Sequence, residues 1–136
     1  MSRVSKYLRK LVAVRAGFRC EYCRVLEYLS NYDYHLEHII GSQHGGSDAS
    51  ENLAYSCALC NWKKGPNIAT TFPPDPTPVP LFNPRTQNWF EHFKVAPIGT
   101  LTAKTVIAQA TIKLLELNHP ARVEERNAMM QSGFYP

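Results

Sequence analysis

Two rhythms of apolar and polar residues organise the first half of the chain. Over residues 3–16 the apolar positions Val4, Leu8, Leu11 and Val12 recur at the i, i+4, i+7, i+8 spacing of one helical face. Arg3, Lys6, Arg9 and Lys10 fall on the opposite side, and Gly17 ends the segment. From Tyr32 to Ile40 aromatic and branched residues alternate with polar ones, the period of a strand with His35 and Glu37 on one face and His38 on the other. Gly41 to Ser50, with Gly45-Gly46 at its centre, reads as a loop that returns the chain in a second strand around Leu53 to Ser56. Asn61 then opens a helix to about Asn67, and Val25 to Leu29 adds one helical turn further upstream. Strand, loop, strand and helix make a ββα unit.

The rhythm breaks between Phe72 and Pro84, where six of thirteen residues are proline. Proline lacks the N–H and clashes with a preceding helical turn, so this stretch is neither a helix nor a central strand and is expected to run extended over the surface. Beyond it, Trp89, Phe90 and Phe93 form an aromatic cluster, read as core and not as a base-stacking platform. Ala103, Val106, Ile107, Ala110, Leu114 and Leu117 then form an apolar stripe at helical period, with Thr102 as its expected N-cap. Asn118-His119-Pro120 stops that helix and starts a last one over Ala121 to Gln131. The fold class expected is α+β, in three parts: a core with an N-terminal helix over residues 1–70, a proline-rich connector over 71–84, and a helical C-terminal extension over 85–136 that packs on the core.

Composition narrows the function classes. A 136-residue chain with 44% hydrophobic residues holds a modest core. No apolar run approaches the roughly 18 residues of a membrane span, and the basic start lacks the apolar region of a secretory signal. A cytoplasmic protein without membrane partners is expected. The net charge of +4 conceals a local excess, because residues 1–24 carry Arg3, Lys6, Arg9, Lys10, Arg15, Arg19 and Arg24 against the single acid Glu21. That excess favours an anionic partner, with Lys6, Lys10, Arg19, Arg24 and Lys64 as phosphate contacts.

The four cysteines stand as Cys20-x-x-Cys23 and Cys57-x-x-Cys60, with 33 residues between the pairs. Such spacing suits two knuckles that hold one tetrahedral Zn²⁺. In a reduced compartment it favours a structural metal over disulfides, which are the alternative. Between the pairs lie Glu37, His38 and Asn52, and Asn61 follows the last cysteine. Cleavage of a phosphodiester needs a base for the attacking water and a positive charge for the departing oxygen. Histidine titrates near neutrality and serves the first need. A hard cation on oxygen ligands serves the second, and Glu37 and Asn61 offer oxygens.

In this order the residues resemble the HNH endonucleases, in the variant that ends its motif on Asn. The matching segments are Leu36-Glu37-His38-Ile39-Ile40, Gly45-Gly46, Glu51-Asn52-Leu53 and Cys57-x-x-Cys60-Asn61-x-x-Lys64, with Cys20-x-x-Cys23 upstream. The resemblance implies a ββα-metal core stapled by a four-cysteine zinc site. It implies His38 as the general base, Glu37 and Asn61 as ligands of a catalytic Mg²⁺ or Mn²⁺, and Asn52 as the residue whose amide fixes the hairpin loop and orients the base. DNA is the implied substrate, with no small-molecule cofactor. The chain departs from the pattern in having Gly41 where many relatives have proline, and Glu in place of the commoner Asp at position 37. Leu81-Phe82-Asn83-Pro84-Arg85, followed by Trp89 and His92-Phe93, also looks like an extension found on some such nucleases. The competing reading is a zinc-stabilised nucleic-acid-binding module without catalysis, since knuckles and a basic helix serve either purpose.

Overall fold

The computed structural model describes residues 5–136, so the expectations placed on Arg3 and Val4 lie outside the described residues. The chain divides into two compact units, Met1–Asn67 and Ile68–Pro136. The first begins with α1 (Lys6–Arg15), capped by the Ser5 side chain on the Leu8 amide and burying Val12 and Ala13. It continues through a 3₁₀ turn (Glu27–Leu29), β1 (His35–His38), two further 3₁₀ turns (Ser42–His44 and Ser50–Asn52), β2 (Leu53–Ser56) and α2 (Ala58–Lys64). The two strands pair antiparallel in the register His35↔Ser56, Leu36↔Tyr55, Glu37↔Ala54, His38↔Leu53. The expected ββα order is present.

Local chemistry sets the element ends. The strand expected from Tyr32 to Ile40 shortens to four residues because the chain turns away after His38, where Ile39 and Ile40 tie the loop to Asn52. The helix expected to open at Asn61 starts three residues earlier, because the Cys57 sulfur accepts from the Cys60 amide and performs the N-cap role. Asn61 therefore sits inside the helix and does not cap it. At the other end Gly65 takes a positive φ of 51° and Pro66 follows, so α2 stops.

The basic face of α1 is partly spent inside the unit. Arg9 Nη2 donates to the Tyr34 carbonyl at 2.7 Å, and Arg15 Nη2 reaches the carbonyls of Leu53 at 2.8 Å and Ser50 at 3.0 Å. These bonds pin the helix to both ends of the hairpin. Lys6 and Lys10 are exposed.

The second unit carries the expected helices together with two hairpins. β3 (Ala69–Phe72) pairs with β4 (Asp75–Pro80), and β5 (Phe93–Val95) with β6 (Leu101–Ala103), both antiparallel. β4 takes up much of the proline-rich stretch. Pro76, Pro78 and Pro80 fall on alternate residues of a strand in a two-stranded sheet, so the missing amides coincide with positions that point away from the partner. α3 (Trp89–His92), α4 (Val106–Leu114) and α5 (Pro120–Gln131) complete the unit.

Thr105, and not Thr102, caps α4, because Leu101–Ala103 are taken up in β6. The buried side of the segment moves accordingly. Ala108, Ala110, Thr111, Leu115 and Leu117 are inside, whereas Val106 is half exposed. Trp89 and Phe93 stack with ring centroids 4.8 Å apart, and Phe82 meets Phe93 edge-on at 5.5 Å. Phe90 is half exposed.

Candidate active site and metal centre

The four cysteines converge although 33 residues separate the pairs. Their sulfurs all lie within 4.8 Å of one another, and Cys23 Sγ and Cys57 Sγ are 3.8 Å apart. Zinc–sulfur bonds of about 2.3 Å at tetrahedral angles place sulfurs about 3.8 Å apart, so the cluster has the dimensions of a four-thiolate site. Amides already point at the sulfurs, Cys23 N at Cys20 Sγ and Cys60 N at Cys57 Sγ. Burial and the neighbouring thiols push the Cys60 thiol well above its ordinary value. A bound cation reverses that penalty by stabilising the thiolates. The first knuckle is held to β2 by a reciprocal pair of bonds: Glu21 N donates to Tyr55 O and Tyr55 N to Glu21 Oε2, each at 2.8 Å.

His38 ends β1 and has 15% of its side chain accessible. His35, Glu37, His38, Gly41, Asn61 and Trp62 all contribute to the lining of one cleft of about 510 Å³. Three of the residues expected to act together thus share a wall. Trp62, 73% exposed, carries the Lys63 ammonium 4.8 Å from its ring centroid.

Asn52 is a clamp. Its Oδ1 accepts from Ile40 N at 2.9 Å, and its Nδ2 donates to Ile40 O at 2.8 Å and Ser47 O at 2.7 Å. One carboxamide therefore ties both ends of the glycine-rich loop. Gly46 makes this closure possible, because a Cβ there would lie 1.7 Å from the Ile40 oxygen and 2.8 Å from Asn52 Nδ2.

Glu37 and Lys64 occupy unexpected places. Glu37 is 4% exposed, with Oε1 2.6 Å from Lys64 Nζ and Oε2 accepting from the Tyr22 hydroxyl at 2.7 Å. Burial pushes its carboxyl above the ordinary value, with Lys64 and Tyr22 opposing that rise. Both oxygens are engaged, so Glu37 fits a divalent cation only with Lys64 displaced. Lys64 is itself 1% exposed and also donates to the carbonyls of His38 at 3.2 Å and Ile39 at 2.9 Å. The phosphate contact expected of it is thereby corrected, because its ammonium is enclosed beneath β1. Arg19 donates to the Arg24 carbonyl at 3.0 Å, and both arginines are partly accessible beside the first knuckle.

Two participants escaped sequence reasoning. Tyr22 lies between the first two cysteines, where an aromatic reads as turn filler, and Asp48 lies in what reads as a flexible loop. Asp48 Oδ1 is 2.7 Å from His38 Nε2. The available signal was an acid on a short loop whose strands must pair, which brings the far side of the loop back toward the last residue of β1.

Among the described residues no helix is long and apolar enough to cross a membrane. No curated protein and no solved structure matches the chain. Residues 20–67 match the family model described as HNH endonuclease, and the matched span contains the four cysteines, the hairpin, the clamped loop and α2. That span carries a nuclease-type domain of the HNH endonuclease family, in the form whose four cysteines are positioned to bind a metal ion.

Proposed function

We propose that this chain is an endonuclease that hydrolyses phosphodiester bonds in DNA, with His38 as the general base and Zn²⁺ held structurally by Cys20, Cys23, Cys57 and Cys60. The observation that carries the reading is the placement of a part-accessible His38 on the wall of a cleft that Asn61 shares, beside a loop that Asn52 closes at both ends. A base must reach the proton it removes and hold still while it does so. His38 meets the first condition through its exposure and the second through the clamped loop.

The sequence of events follows from these parts. A phosphate enters the cleft, drawn by the accessible cations Lys63, Arg19 and Arg24, with Lys6 and Lys10 on the exposed side of α1. The imidazole of His38 takes a proton from a water as its oxygen attacks phosphorus, and the bond to the leaving oxygen breaks. A divalent cation, when bound, supplies positive charge to the phosphoryl and leaving oxygens. Asn61 would offer it a carboxamide oxygen, and Glu37 would join only once Lys64 withdraws. Asn52 acts without touching substrate, by keeping Ile40 and Ser47 together.

Incubation of the full chain with supercoiled plasmid and Mg²⁺ or Mn²⁺ tests this. Nicking by the native protein that His38→Ala lacks is the expected result, and parallel assays with single-stranded DNA and RNA define the substrate. The engaged state of Glu37 favours a second reading, a zinc-stabilised nucleic-acid-binding module without catalysis. Equal retention of DNA by both proteins, with no cleavage by either, selects that alternative.

A further inference from the structure

We propose that Asp48 is a positioning residue for His38, fixing which ring nitrogen carries the proton and where the other one points. The final link, to catalysis, rests on the nuclease reading above; the pairing itself does not. An ionised carboxylate can only accept hydrogen bonds, so the 2.7 Å approach of Asp48 Oδ1 to His38 Nε2 requires a proton on Nε2. In the neutral imidazole the lone pair then belongs to Nδ1. That nitrogen is the one left to receive the proton of water.

The loop is built to hold this pair. Asn52 binds Ile40, two residues after His38, and Ser47, one residue before Asp48. The two partners therefore stand next to the two tied points, and the loop between can shift little without breaking three bonds. Gly46 permits the close return against Ile40. Other charged groups around β1 are committed differently: Glu37 faces Lys64 and Tyr22, Lys64 Nζ bonds the His38 carbonyl, and His35 lies at the far end of the strand. Asp48 is 51% exposed, so solvent screens its charge and its contribution lies in orientation more than in ion-pair strength.

The test uses the ¹⁵N-labelled full chain at about pH 8, where an ordinary imidazole is neutral. Long-range proton–nitrogen correlation reports the His38 tautomer independently of any activity. The native protein should show a single tautomer protonated at Nε2, and Asp48→Ala a mixture. Asp48→Asn, which keeps the size of the side chain, guards against a merely unfolded variant and should also disturb the ring signals, since its amide can donate as well as accept. With a cleavable substrate, Asp48→Ala should lower kcat about tenfold to a hundredfold while KM stays within about twofold, as expected when a reacting group is held less well. An unchanged tautomer in a folded Asp48→Ala protein overturns the pairing. A changed tautomer with unchanged kcat overturns the positioning role. A native protein inert on every nucleic acid, whose His38 tautomer still depends on Asp48, removes the nuclease reading and leaves the pairing standing.

Discussion

Glu37 and Lys64 show how one buried pair constrains its neighbourhood. Each charge is costly away from water, and their 2.6 Å contact offsets that cost only while both are present. Glu37→Gln leaves an ammonium enclosed beneath β1 and should cost about 3 kcal/mol of stability, whereas adding Lys64→Met should recover much of the loss. Urea unfolding of both single variants and the double variant checks this, and simple additivity would show that the pair is not coupled. The pH dependence has a defined sign. Because burial raises the Glu37 carboxyl above its ordinary 4.5, the folded protein keeps a proton that the unfolded chain has released. Its contribution is complete below 4.5 and is lost as pH rises through the raised value; Glu37→Gln should flatten that part of the stability profile. Gly46 is equally constrained, by space. A methyl at that position would meet the Ile40 carbonyl at 1.7 Å, so Gly46→Ala must open the Asn52 clamp and should lower the melting temperature by several degrees.

At the level of elements, the ends matter more than the middles. α2 begins on a cysteine because that sulfur satisfies an amide at the helix start as well as facing the metal cluster, so one residue couples metal binding to helix formation. In the second unit, a threonine on α4 performs a comparable linking task. Thr111 Oγ1 accepts from the buried Phe82 amide at 2.8 Å, fastening the chain that leaves the proline-rich hairpin. Thr111→Val keeps the shape and removes the acceptor, leaving an amide unsatisfied. A loss of about 1–3 kcal/mol is expected, read by thermal unfolding; a change below 0.5 kcal/mol would show that the amide finds another partner.

At the scale of the whole chain, the two units depend on different sources of stability. The first has a small core in which the cysteine cluster brings together residues 20–23 and 57–60, so metal binding and folding should be one event. Elemental analysis should give one zinc per chain. Chelation should abolish hydrogen-exchange protection in β1, β2 and α2. β5, β6 and α4 should keep theirs, because the stacked Trp89–Phe93 pair, the Phe82 ring and the Arg126 bond to the Gly99 carbonyl lie within residues 68–136. Retention of protection in β1 and β2 after metal removal would show that the apolar core alone suffices.

Much of the first unit was legible in the residues themselves. The 33-residue separation of the cysteine pairs, the strand period around His38 and the paired glycines are local signals, and local geometry obeys them. Two-fold alternation placed His35 and Glu37 on one face, yet it could not say that α2 would cover that face and bring Lys64 onto the carboxylate. In the second unit the helical stripe was visible, but its exact face was not, because the pairing of Leu101–Ala103 into β6 shifts the helix start to Val106. The one-dimensional pattern thus determined the ββα order of the first unit, the convergence of the cysteine pairs and the helical stripe of the second unit, whereas the hairpins β3–β4 and β5–β6 escaped it. Tertiary structure decided which of the candidate side chains are consumed in holding the domain together and which remain at the cleft, because that outcome depends on contacts between residues far apart in the chain, such as Glu37 with Lys64 and Asn52 with Ile40, that no sequence period encodes.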